Sequence, residues 1–99
     1  MKILALEMEL VPDPAAFTAD LLRAEARALW ELQVAGLVRE CHFRADRHEA
    51  VLALECAGVE EAREALGRLP LVREGLIAFE LVPLAPYDGF ARLFGQGEA

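Results

Sequence analysis

Two alternating stretches, residues 37–45 and 48–56, are joined by Ala45-Asp46-Arg47-His48, and they constrain this chain more than any other feature. Alternation on both sides of a short polar turn predicts a β-hairpin. A helical pattern flanks the hairpin on each side, and an apolar strand lies beyond each helix. Upstream, residues 2–10 form a β-compatible run closed by Val11-Pro12-Asp13-Pro14. Pro14 suits a first helical turn, so a helix is predicted from there to Ala35, with Gly36 as its stop. Downstream, Gly58 breaks the chain. A second helix over residues 59–68 sets Val59, Ala62, Leu66 and Leu69 on one face. Pro70 ends it, and residues 75–83 form the last strand.

The order strand, helix, strand, strand, helix, strand admits few topologies. Right-handed crossovers around a hairpin give an α+β, ferredoxin-like βαββαβ fold: a four-stranded antiparallel sheet with both helices on one face. Its 99 residues suit one domain, with residues 86–99 as a C-terminal tail. The other sheet face is the problem. Residues 3–8 and 76–82 are too apolar for strands with one wet side, and a second copy of the sheet would cover them. A homodimer is therefore expected.

Charge narrows the partners. Ten basic against seventeen acidic residues give a net charge of −7, with no basic stripe, which argues against nucleic acid. No apolar run approaches the ~20 residues of a membrane span. The opening MKILALEMEL is interrupted by Glu7 and Glu9 and does not read as a signal peptide, so a cytoplasmic protein is expected. Cys41 and Cys56 are expected as reduced core residues, and two Cys and two His without ligand spacing predict no metal site. There is no glycine-rich phosphate loop, and no cofactor is expected.

One residue contradicts its surroundings. At ~100° per residue, Phe17, Leu21, Leu22, Ala28, Leu29, Leu32 and Ala35 fall on one apolar arc, and Glu25 lands inside it. If the hairpin pairs about residues 46–47, Leu37, Arg39, Cys41 and Phe43 share an apolar face with Ala50, Leu52, Leu54 and Cys56. Arg39 is the only charge on that face. A carboxylate desolvated by leucines suits a general base, and an arginine facing it could hold a carboxylated metabolite. Two structural alternatives stand beside this: Glu25 and Arg39 pair with each other, or the helix rolls and Glu25 reaches water. His42 is expected on the dimer face. Trp30 and Val34 lie off the main arc and read as a packing patch for the C-terminal tail or a neighbouring subunit. Tyr87, Phe90, Leu93 and Phe94 repeat at near-helical spacing in that tail, which is expected to dock as far as Phe94.

The helix with Glu25, the Gly36 stop, the basic strand LVRECHFR and the segment LGRLPLVREGLIAFELVPLAP resemble the muconolactone isomerase family, over roughly residues 10 to 86. The resemblance implies a dimeric α+β barrel with a ligand cavity between sheet and helices. It further implies a cofactor-independent proton shift on a carboxylated lactone, with Glu25 at the family's helix glutamate and Arg39 at its arginine after the glycine. Where the family has a His following that arginine, this chain has Glu40. Where its first strand carries His and Lys, this chain has Leu4 and Leu6. A non-catalytic ligand-binding or assembly module on the same fold is the alternative.

Overall fold

A computed structural model of the chain describes residues 1–95. Four strands, β1 (Lys2–Glu9), β2 (Val38–Phe43), β3 (Ala50–Glu55) and β4 (Ile77–Pro83), form one antiparallel sheet in the order β2-β3-β1-β4. Helices α1 (Ala19–Val34), α2 (Val59–Leu66) and the single turn α3 (Pro70–Arg73) complete the body. A short 3-10 segment, Gly89–Phe94, follows β4. The expected ferredoxin-like α+β topology is the one present.

Both prolines expected to bound helices do something further. Pro14 opens a separate 3-10 turn, Pro14–Ala16, capped by Asp13. The chain then breaks at Phe17, and α1 starts at Ala19, where the Thr18 hydroxyl accepts from Leu21 N–H at 3.2 Å. Pro70 does not merely end α2. It occupies the first position of α3, where its missing N–H costs nothing. Gly36 ends α1 as expected, with φ +82°. Its N–H reaches Gln33 O and the Leu37 N–H reaches Leu32 O, which satisfies two orphan carbonyls in a Schellman turn.

Strand β1 sits in the middle of the sheet and pairs on both sides. Ile3 and Ala5 face the helices and are fully buried, in register with Leu54 and Leu52 of β3. Leu32, Val38, Ala62, Ala65, Leu66 and Leu69 close the main core over them. A second, smaller cluster of Leu71, Leu76 and Ile77 packs with Phe17 and Leu21 at the other end. Leu22, on the edge of the apolar arc, is exposed. On the opposite sheet face Leu4, Leu6, Val51, Ala78 and Val82 form a mainly apolar surface, with no helix over it among the described residues.

The hairpin departs from its expected register at one point. Residues 40–43 pair with 53–50 as a turn at 46–47 requires, but Val38 pairs with Leu54. Arg39 is the extra residue of a β-bulge between them. The bulge turns Val38 inward, where it is fully buried, and leaves Arg39 outside the inward row. Cys56 is buried as expected; Cys41 is exposed, its Sγ donating to Gln33 Oε1 of α1 at 3.5 Å. Among the described residues no helix is long and apolar enough to cross a membrane.

A Cβ at Gly36 would meet no atom within 4 Å, so substitution there is opposed by backbone conformation alone. Gly36→Ala is expected to lower the unfolding free energy by about 1–2 kcal/mol in urea titrations. Gly36→Asn should lose less.

Candidate functional site

The alternation that buries Ile3 and Ala5 delivers Glu7 to the same side of the sheet. Glu7 pairs across β1–β4 with Phe79, and its carboxylate Oε1 accepts from Ala50 N–H at 2.9 Å. Ala50 in turn pairs with Phe43 of β2. One row across the inner face therefore reads Phe43, Ala50, Glu7, Phe79. Phe43 is exposed and stacks on the His48 ring, with centroids 3.9 Å apart.

Glu25 lies on α1, which packs over the inner face of the sheet. Leu21, four residues before it, belongs to the smaller core cluster, whereas Ala28, Leu29 and Leu32 belong to the main one. Glu25 thus occupies the seam between the clusters, half-buried, as its place on the apolar arc implied. Its Oε1 accepts from Leu71 N–H at 2.9 Å. Because Pro70 has no N–H, Leu71 offers the first free donor of α3, and Glu25 serves as that helix's cap.

The structural alternative of a Glu25–Arg39 ion pair is not formed, and Arg39 does not face Glu25 across the core. Arg39 is exposed on the bulge, and its Nε donates to the Gly36 carbonyl at 2.7 Å. Glu25 has not rolled out to water either. The cation whose charge reaches Glu25 is Arg73 of α3, and the acid beside it is Glu7. Burial pushes the Glu25 carboxyl above the ordinary carboxylate range; the Leu71 N–H opposes this, and the Glu7 charge adds to it. Burial likewise raises Glu7, against the hydrogen bond from Ala50. The parity of β1 was the signal for Glu7, since Ile3, Ala5 and Glu7 are spaced by two.

His42 lies on the outer face, with Nε2 3.1 Å from Glu40 Oε1, away from the two glutamates. No group of three metal-ligating side chains gathers among the described residues. Two shallow, open depressions mark the surface. One of about 200 Å³ lies beside β4 at Arg63, Leu66, Val72, Phe79 and Leu81. The other, about 390 Å³, lies on the outer face of α1 at Arg27, Trp30, Glu31 and Val34. Neither is lined by Glu7 or Glu25, both of which are half-buried.

The two raised carboxyls fix a sign for pH dependence. The folded protein holds these protons more tightly than the unfolded chain does. Stability should therefore fall as pH rises from the ordinary carboxylate range towards the folded values, and level off above them. Asp46, Glu49 and Glu55, held low by Arg44, Arg47 and the N-terminal ammonium, act in the opposite sense but at lower pH. Thermal melts across mildly acid to neutral pH are expected to show the fall in the native chain and to flatten in Glu7→Gln/Glu25→Gln. Glu25→Gln keeps an acceptor for Leu71 N–H and should be neutral or stabilising at neutral pH, whereas Glu25→Leu loses the cap and about 1 kcal/mol.

Neither a family model nor a curated protein matches the sequence. Among solved structures the chain is similar to 5-chloro-2-hydroxyhydroquinone dehydrochlorinase from Burkholderia phenoliruptrix, solved in complex with 2,5-dihydroxybenzoquinone. The match has a TM-score of 0.67 at 15% identity and covers 90% of this chain and 98% of that one. At this identity the likeness carries the fold: a four-stranded antiparallel sheet with its helices on one face, as in the dimeric α+β barrels.

Proposed function

We propose that the protein binds a small cyclic carbonyl compound and shifts a proton on it without a cofactor, with Glu25 as the base and Glu7 as its partner acid. The observation that carries this reading is two half-buried carboxyls on the inner side of the sheet, Glu25 of α1 and Glu7 of β1, each held by a backbone N–H and close enough that the Glu7 charge acts on Glu25. A base must accept a proton at neutral pH and return it, and burial raises both groups towards that range. Glu25 would take a proton from a carbon next to a carbonyl, leaving an enolate. Its own protonated carboxyl, or that of Glu7, would then deliver a proton to another carbon of the conjugated system. The dehydrochlorinase of the same fold binds a small quinone, which makes a compact ring the natural class of ligand. A carboxylated lactone, the substrate implied by the resemblance to muconolactone isomerases, fits if Arg73 takes the carboxylate-binding part expected of Arg39. Arg73 is the arginine whose charge already reaches Glu25.

Proton NMR in heavy water tests the chemistry directly. With muconolactone as probe, the native chain should wash deuterium into the ring position next to the carbonyl. Glu25→Gln should slow this at least ~100-fold while leaving the fold intact. A second reading, a binding or assembly module without turnover, is favoured by the hydrogen bond from Leu71, which gives Glu25 a structural task of its own. On that reading the probe binds and no exchange occurs.

The barrel part of the proposal needs a second copy over the apolar sheet face of Leu4, Leu6, Val51 and Val82. Light scattering at micromolar concentration should give at least twice 10.9 kDa. Leu6→Asp should give a folded chain of half the native mass.

A further inference from the structure

Aromatic side chains meet at two places outside the core. In the C-terminal segment Tyr87 meets Phe90 edge to face, with ring centroids 4.8 Å apart, yet Tyr87, Phe90, Leu93 and Phe94 all stay exposed. The expectation that the tail docks as far as Phe94 is therefore not met within one chain, and Trp30 and Val34 of α1 stay exposed as well. At the hairpin tip Phe43 stacks instead on a titratable ring, His48, the two planes 24° from parallel.

Register fixes the side of the sheet on which that stack stands. Phe43 shares a side with Cys41, whose Sγ donates to Gln33 Oε1 of α1, so both point towards the helices. His48, stacked on Phe43, stands on that side too. Glu7 is there as well, accepting from the N–H of Ala50, two residues along from His48. Continued one step past Leu6 and Val51, the β1–β3 register sets Glu7 across from Ala50 and diagonal to His48. Such diagonal neighbours lie ~7–8 Å apart at the backbone, within reach of long side chains. The charge of a protonated His48 does reach Glu7, where it works against the effect of burial. His48 is itself exposed, so water reaches it. The other ionisable groups of the hairpin are occupied. Arg44 binds Asp46 through two nitrogens, at 2.9 and 2.7 Å, and Arg47 binds Glu49. Neither guanidinium releases a proton, and both acids are held below the ordinary carboxylate range. Glu9 of β1 only adds a like charge beside Glu7. An imidazole is the side chain that both takes and gives a proton near neutral pH.

We propose, on the reading of Glu25 as base and Glu7 as acid, that His48 passes protons between Glu7 and water, so that a proton taken from the ligand leaves by way of the hairpin tip. Two transfers make up the step. The Glu7 O–H gives its proton to the basic imidazole nitrogen, leaving a carboxylate, and the imidazolium N–H gives one to water, restoring the neutral ring. The reverse path loads Glu7 from solvent. His48 acts through Glu7 and touches no ligand.

Heavy water separates loss of this outlet from loss of the chemistry. With muconolactone as probe, proton NMR reads both the isomerised product and its deuterium content beside the carbonyl. Product from the native chain should carry deuterium. In His48→Gln isomerisation should continue while the deuterium per product falls at least ~3-fold, because protons abstracted from the probe are then reused before they escape. Free imidazole should restore the native content, and His42→Gln, altered on the outer face, should match the native chain. Equal deuterium in the native chain and His48→Gln overturns the relay and leaves the two carboxyls in their roles, as does native product free of deuterium. A variant that loses isomerisation and deuterium together, or that imidazole does not restore, gives His48 a structural part and also overturns the relay. A native chain that neither isomerises nor exchanges the probe removes the base–acid reading, and the relay with it.

Discussion

The central strand sets the terms for the rest of the molecule. With a partner on each side and helices above, β1 has one inner row, and Ile3 and Ala5 fill it without exposing any surface. That choice fixes β3 and β4 by register, because Leu52 and Leu54 must oppose the buried pair and Phe79 and Leu81 must follow on the other side. It also leaves no freedom for Glu7, since a period of two carries every second side chain inward whatever its chemistry. The interior carboxylate is a consequence of packing two apolar residues further along the strand. Glu25 completes the arrangement from α1 by an independent periodicity.

Much of this is legible in the sequence, and the parts that are not have identifiable causes. The hairpin, the glycine stop after α1 and the two-sided apolarity of the first and last strands follow from periodicity and turn chemistry, and they lead to the fold. Glu25 is legible because one charge inside a helical arc of leucines is conspicuous. Glu7 reads in the sequence only as an interruption of an apolar run, and its parity matters only once Ile3 and Ala5 are known to be the inner pair. Arg39 leaves its expected face for a different reason. Alternation carried back from the turn is correct as far as Glu40, and a bulge beyond it depends on where the chain leaves α1, which no pattern within the strand records.

Glu25 carries two demands at once. Its hydrogen bond from Leu71 satisfies the start of a one-turn helix whose residues bridge the two core clusters, so removing the acceptor disturbs packing well away from any ligand. Its charge, set beside Glu7 in a seam between those clusters, is a burden that packing alone would not retain. An amide at this position would accept from Leu71 equally well and carry no charge, so the hydrogen bond alone does not account for a carboxylate here.

The bulge in β2 bears on how this fold tolerates changes of chain length. Val38 faces inward, Glu40 outward and Cys41 inward, so the surplus residue between Val38 and Glu40 is the single one that breaks the alternation. Shortening the strand there by one residue would leave every inward side chain on its present face. The junction behind α1 and the hairpin tip are thus decoupled in phase. A one-residue deletion at this point is neutral for the core, whereas the same deletion in β1 would exchange the buried row for the exposed one.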